Sequence, residues 1–453
     1  MTFIRLLACA ALLLAAPLSA WAHGEAPADA RVIYRGAVLI DGTGAAPRAG
    51  MSIVTEGPLI GAVVGDAEAT ALAPDARIVD TSGLYVLPGL IDSHVHIATP
   101  PDAASARATL RRQLYSGVTA VRVMADDLRA VAELAREARL GEIPAPDIYY
   151  AALMAGPSFF DDPRTAAAAM GETPGHVPWM QAIDDRTNLR LAVAMARGTN
   201  ASAIKIYANL PARLVRNITR EAHRRGIRVW AHTMVYPATP AEVAAAGVDV
   251  MSHACSLAHQ GQSVRPQSYA SRTPIDPAPF LNGDNPAVAA VVADMARRGI
   301  ILDATVRVYA EQARLRAEHP EMRAALCTPE LSYAMARQAW RAGVRIAAGT
   351  DGDSDWDAPF PSLYEEMELL QDEVGIAPLE VIRAATETGA AAAGRDDMGA
   401  IAPGRLANLV FTRDDPSADV TNLRSIEFTV RRGLAFRRAD YRLITQDEMA
   451  GAR

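Results

Sequence analysis

The sequence predicts a (β/α)8 barrel, an α/β fold, carrying a small β-sandwich domain assembled from both ends of the chain. Two observations carry this. An apolar, strand-like run alternates with an amphipathic segment eight times across residues 90–394, and the stretches on either side read as short strands and turns. Apolar runs each followed by a helix make parallel strands covered on their outer side, and eight such units in succession close into a barrel. At 453 residues the chain has room for a barrel and an appended domain. Its composition, 50% hydrophobic and 21% charged, excludes a disordered chain or a small disulfide scaffold.

The chain opens with MTFIRLLACAALLLAAPLSAWA: one basic residue (Arg5), an apolar stretch over 6–16, and Ala20-Trp21-Ala22 as an A-x-A cleavage site. This reads as a secretory signal peptide cut after Ala22, and predicts a periplasmic or secreted bacterial protein with no membrane attachment once the leader is gone. Residues 23–87 contain VIYRGAVLIDGTG, SIVTEGPLIGAVV and ARIVDTSGLYVLP, and LANLVFTR and IEFTVRRGLAFR continue that texture after Gly404. Short apolar runs broken by Gly, Pro and Asp are strands and turns. Residues 23–87 and 402–453 therefore form one composite domain, and 88–401 the barrel.

Barrel strands are expected over 90–96, 118–124, 147–154, 203–208, 227–233, 248–254, 300–306 and 344–351. Helices are expected over 104–116, 128–140, 186–197, 211–225, 240–246, 286–298, 329–341 and 379–394. Two connections are long, 156–185 after strand three and 255–285 after strand six, and in a barrel the loops after strands form the functional face. Cys255 and Cys327 either pair in an oxidising compartment or stay as buried thiols.

Four of the nine histidines fall at expected strand ends. His94 and His96 stand two apart in Asp92-Ser93-His94-Val95-His96, a spacing that sends both side chains to one face of a strand. His232 ends strand five (RVWAHT), His253 strand six (VDVMSHA) and Asp351 strand eight (IAAGTDGD). Lys205 lies in strand four (AIKIYA). It is the one lysine in the chain; the other 44 basic residues are arginine. An ion pair would be served equally well by arginine. Only an amine can be deprotonated and carbamylated by CO₂ into a carboxylate able to bridge two cations. Taken singly, each of these residues has an ordinary reading as a packed core side chain or a turn. Six metal-capable groups from five strands converging on one mouth read as a metal site. Such donors suit Zn²⁺ best, with Mn²⁺, Co²⁺ and Ni²⁺ following.

These residues resemble the metal-dependent amidohydrolase superfamily, in its imidazolonepropionase-like and prolidase-like (Xaa-Pro dipeptidase-like) branch. The resemblance runs through LIDGTG, GLYVLPGLIDSHVHI, GVTAVR, IKIYA, VWAHT, GVDVMSHA, AAGTDG and IAPGRLANLVF. It implies two divalent metal ions, one held by His94, His96 and Asp351 and the other by His232 and His253, with N6-carboxylated Lys205 and a hydroxide bridging them. Asp351 then serves as general base and afterwards as acid. The implied reaction is hydrolysis of a C–N amide bond, in a dipeptide or an N-acyl amino acid. Cyclic-amide or lactone hydrolysis on the same metals is the alternative, and a non-catalytic binding scaffold is the reading of another class. Deamination ranks lower, because the residues after His232 are Thr-Met-Val-Tyr-Pro, with no acid. The chain departs from the family at Asn408, where an Asp is usual, and at Val123, where an acid often follows the position of Arg122.

On the substrate side the candidates are Arg122 following strand two, Tyr207 and Tyr236 following strands four and five, and Arg307 and Tyr309 following strand seven. Arginine or tyrosine at the mouth would hold a substrate carboxylate by charge-assisted hydrogen bonds. His176 lies in the third loop, where relatives carry Gly-Gly-His. His259 reads as a solvated loop residue. The expected partner is a small-molecule amide. With 45 Lys+Arg against 52 Asp+Glu, net −7, the chain lacks the basic excess of a nucleic-acid binder. The sequence leaves a homo-oligomer open.

Overall fold

A computed structural model of the chain describes residues 31–352 and 355–452; the signal-peptide reading and its cleavage point after Ala22 lie outside the described residues. Eight parallel strands succeed one another: Leu90–Val95, Val118–Met124, Asp147–Ala155, Ala203–Ile206, Arg228–His232, Val250–Ser252, Ile301–Asp303 and Ile346–Ala347. Each pairs in parallel with the next. The last returns to the first through two backbone bonds of 2.9 Å, Ser93 N–H to Ala348 O and Asp351 N–H to His94 O. The predicted barrel is present, each strand within a few residues of its expected position.

The strands are buried on both faces, which is why their sequences run apolar without alternation. Ile91, Met124, Tyr149, Trp230, Val250 and Ile301 fill the interior, and the outer faces pack on the helices. The helix starts follow from their caps: Asp102, Asp127, Asn188, Asn285 and Thr328 each accept a backbone N–H of the first turn, and Thr239 with Glu242 forms a capping box. No helix among the described residues is long and apolar enough to cross a membrane.

Some elements differ from expectation. The helix expected over 379–394 is two, Pro378–Ala384 and Glu387–Ala393, because Thr386 leaves helical backbone. Strand seven stops at Asp303, and the residues after it enter a helix, Arg307–Glu318, that the weakly patterned sequence did not announce. The loop over 156–185 is built rather than open. It holds the helix Pro163–Ala168 and a small hairpin, His176–Val177 with Met180–Ala182, whose second strand runs parallel to strand three. In the loop after strand six, Cys255 is paired to Cys327 in a disulfide, the first of the two alternatives for these cysteines.

Both chain ends enter one hydrogen-bonded sheet of eight strands. At its centre Tyr85–Pro88 lies between Leu409–Thr412, to which it is antiparallel, and Arg31–Leu39, to which it is parallel. Phe411 and Phe428 stack at 4.3 Å between ring centres, with Tyr34 5.2 Å from Phe411. The sheet meets the base of the barrel at Asp147, the first residue of strand three. Asp147 is buried and paired with Arg431 at 2.5 Å and Arg432 at 2.9 Å. Burial alone would raise its carboxyl, but the two guanidinium groups outweigh it and hold the group below its ordinary value.

Replacing Asp147 by Ala strands a buried guanidinium, so unfolding by denaturant should show a loss of about 3–5 kcal/mol. Because the folded-state value is depressed, that contribution is complete above about pH 4 and fades as the pH falls below it. The gap between wild type and variant should therefore narrow in acid.

Candidate metal centre and its cavity

The ends of the barrel strands carry backbone that ordinary residues avoid. His253 (φ 77°), Thr305 (φ 48°), Asp351 (φ 48°) and Tyr236 (φ 49°) all lie in the left-handed region. Each costs on the order of 1–3 kcal/mol, and such residues persist where the surrounding structure holds them for a task. Gly349 supplies the close approach: a Cβ there would stand 2.2 Å from Asp303 Oδ1 and 2.9 Å from His94 Cβ.

His94, His96 and Asp351 bring their ligand atoms within 4.8 Å of one another. Both imidazoles are fixed from behind by buried carboxylates. His94 Nδ1 donates to Asp303 (2.7 Å) and His96 Nδ1 to Asp126 (2.8 Å), and Asp126 also receives the N–H groups of Ile97 and Ala98. With Nδ1 the donor, each Nε2 presents a lone pair, and both face one oxygen: Asp351 Oδ1 lies 3.2 Å from His94 Nε2 and 3.3 Å from His96 Nε2. Three electron-rich atoms this close need a positive charge between them. Two ligands held about 2.0–2.1 Å from one tetrahedral cation stand roughly 3.3–3.4 Å apart, so the arrangement fits a divalent metal. Without one, a proton takes the place: burial opposes charge on His96, but Asp126 and Asp351 overcome it and push the imidazole up to about 10.

His253 and His232 complete the ring of imidazoles, with centres 5.1 Å (His94–His253) and 4.7 Å (His232–His253) apart. His253 Nδ1 is anchored on Thr305 Oγ1 at 3.0 Å. Burial brings His253 down to about 3 and His232 well below its ordinary value, so both are neutral, as metal ligands must be. Lys205 is wholly buried. Its Nζ donates to Ser252 Oγ (3.0 Å), which donates to Asp303 (2.9 Å), the carboxylate that also holds His94. Burial lowers the Lys205 amine to about 8, against the pull of Asp303 and Asp351. The six residues expected to hold metal thus stand together at the C-terminal mouth of the barrel.

Above them is a cavity of about 440 Å³, within the usual range for small-molecule sites. Tyr207, Tyr236 and Tyr309 line it, as expected for strand-end residues, and Phe159 and Tyr269 join them from the two long loops. Three expected substrate residues are not there. Arg122 sits two residues before its strand ends, so its side chain is buried in the barrel interior, the guanidinium carbon 4.1 Å from the Trp230 ring centre. Arg307 opens a helix and does not line the cavity: Nε bonds Glu365 at 2.7 Å, and a terminal nitrogen lies beside Gly352. His176 is exposed on the hairpin of the third loop. His259 is buried rather than solvated. Its Nδ1 donates to Gln262 Oε1 (2.7 Å) and its Nε2 accepts the Tyr236 hydroxyl (3.1 Å).

Asp126 and Asp303 were not singled out in the sequence, although both stand at or just past a strand end, the signal that found the histidines. Arg164, Tyr269 and Arg272 lie in loops whose aperiodic sequence gives no direction for a side chain.

A (β/α)8 barrel with four histidines, a lysine and an aspartate at its catalytic mouth belongs to the class of barrels built around divalent metal. Residues 85–434 match the family model described as the amidohydrolase family, and the chain belongs to that family. Among solved structures it is similar in fold to a Xaa-Pro dipeptidase with bound methionine (20% identity, 90% of this chain and 100% of the other, TM-score 0.68). It is similar also to ochratoxinase from A. niger (20% identity, 90% and 96%, TM-score 0.70). An N-acyl-D-aspartate deacylase of Alcaligenes xylosoxydans xylosoxydans is 43% identical over 72 residues, 16% of this chain and 14% of the relative. The chain spans only 13–14% of the length of the curated relatives it matches, so these bear on a short block alone.

Asp126 orients His96, and losing a partner that orients a metal-ligating histidine weakens metal binding about 10–100-fold. Asp126→Ala should show that loss in competition with a chelator of known affinity; unchanged affinity would mean that His96 is oriented by other contacts.

Proposed function

We propose that this chain hydrolyses the C–N amide bond of a small substrate, a dipeptide or an N-acyl amino acid. In this reading His94, His96 and Asp351 would hold one divalent ion and His232 and His253 a second, Zn²⁺ first among the candidates, and Lys205, carboxylated on N6, would be a further ligand. The observation that carries it is Asp351 Oδ1, set against two imidazole lone pairs at the floor of a cavity walled by aromatic side chains and two arginines. Bound divalent metal supplies water activated near neutral pH and polarises the substrate carbonyl.

The chain does the rest. Asp351 is held well below its ordinary value despite burial, chiefly by His94 and His253. It is therefore ionised and able to take a proton from attacking water and return it to the departing nitrogen. Burial raises the Tyr207 phenol well above its ordinary value. It therefore stays a neutral hydrogen-bond donor beside His232, the two ring centres 4.0 Å apart. Phe159 and Tyr269 pack against Tyr207 at 4.4 and 5.6 Å and exclude water from that wall. The leader, if cut after Ala22, would place this activity in the periplasm or outside the cell.

The test is a dipeptide and N-acyl amino acid library assayed on protein loaded with metal in the presence and absence of bicarbonate. Turnover should require metal and rise with bicarbonate. Asp351→Asn should lose at least ~100-fold in kcat, the ordinary worth of a positioned proton-transfer group. Near-normal kcat in that variant would assign the proton transfer to another residue. Turnover confined to lactones or cyclic amides would replace the substrate class and keep the site.

A further inference from the structure

Two guanidinium groups, Arg164 and Arg272, stand in the cavity wall. Arg164 is already neutralised: Nε and a terminal nitrogen bond Asp162 at 3.0 and 2.8 Å, and the same terminal nitrogen donates to the Tyr269 hydroxyl at 2.9 Å. Arg272 differs. Its Nε donates to the Tyr269 carbonyl at 2.6 Å, and among the described residues no carboxylate pairs with it and neither terminal nitrogen has a partner. Its guanidinium carbon lies 3.2 Å from the Tyr269 ring centre, a stack that fixes the plane of the fork. Tyr269 is itself tied down, its backbone N–H donating to Asn209 Oδ1 at 2.7 Å. The charge on Arg272 is felt at Tyr236, Tyr309 and His259 in the cavity, and also at Asp162, the carboxylate that is bonded to Arg164 and not to Arg272. Asp351 is the one carboxylate among the described lining residues, and it belongs to the metal ligands.

From this geometry we infer that Arg272 receives a free carboxylate of the substrate, and that the cavity takes anionic amides whose apolar body rests among Phe159, Tyr236, Tyr269 and Tyr309. The inference rests on the amide-hydrolase reading above and narrows it. The Tyr269 ring centre is 6.4 Å from that of His232 and 3.2 Å from the Arg272 guanidinium carbon. An extended residue spans about 3.3–3.6 Å, so the carboxylate on Arg272 lies within two or three residues of a bond held at the metal ligands. That length suits an N-acyl amino acid or a dipeptide and excludes the interior of a long peptide. Arg122 and Arg307, which point elsewhere, have no share in it.

The experiment is calorimetric titration of N-acetyl-L-phenylalanine and its neutral carboxamide into wild type, Arg272→Gln and Arg272→Lys, without and with metal, alongside kcat and KM for N-acyl phenylalanines. Wild type should bind the acid about 10- to 100-fold more tightly than the carboxamide, the worth of a charged hydrogen-bonded pair. Arg272→Gln should abolish that preference and raise KM with kcat within threefold, and Arg272→Lys should keep part of it; matching thermal unfolding of the three proteins establishes that the fold is intact. Equal binding of the acid by wild type and Arg272→Gln, or no preference in wild type, overturns the assignment. A preference lost in Arg272→Gln without turnover of any amide keeps Arg272 as the carboxylate receptor and removes the amide-hydrolase reading. Turnover with an unchanged preference does the reverse.

Discussion

The barrel closes at the seam where strand eight meets strand one, and the site depends on that closure. Asp351 N–H bonds the carbonyl of His94, while Asp92, buried beneath, takes the N–H groups of His94 (3.1 Å) and Thr350 (3.2 Å) and the Thr350 hydroxyl (3.0 Å). These bonds bring two strands from opposite ends of the barrel sequence into fixed register. They set one carboxylate oxygen against two imidazole lone pairs. Oxygen and nitrogen atoms arranged in this way repel unless a proton or a metal cation joins them, and their spacing fits a divalent metal. Burial of charge without a partner is costly, and the two imidazoles have theirs in Asp303 and Asp126, while the Lys205 amine has Ser252.

Around this fixed floor the chain varies what surrounds the substrate. Tyr207 and Tyr236 come from strand ends, but Phe159, Tyr269 and Arg272 come from the long loops after strands three and six. The Cys255–Cys327 disulfide secures the second of these loops two residues from His253, and both cysteines line the cavity. Candidate metal ligands at strand ends and a cavity wall drawn largely from loops fit the division usual in a barrel, where rigidity belongs to the chemistry and variation to recognition.

The strands were legible because a parallel strand buried on both faces has to be apolar throughout, and the histidines were legible because they interrupt such runs at their ends. His94 and His96 declared a shared face by their spacing, and Lys205 stood out against 44 arginines. Arg122 misled because a strand-borne arginine two residues short of the mouth looks the same in sequence as one at it; packing against Trp230 decided its direction. Arg307 misled because the helix that turns it away begins directly after the strand. His259 gave no sign of burial, since its partners Tyr236 and Gln262 meet it only through the fold. Loop residues carry no period, and so Tyr269 and Arg272 could be placed only by the structure.

The most direct measurement is the metal content of the protein, expressed with zinc and bicarbonate and assayed by elemental analysis after gel filtration. Two ions per chain would agree with ligands divided between the His94–His96–Asp351 and His232–His253 groups across Lys205. A chain that stays folded yet retains no divalent metal under those conditions would contradict it.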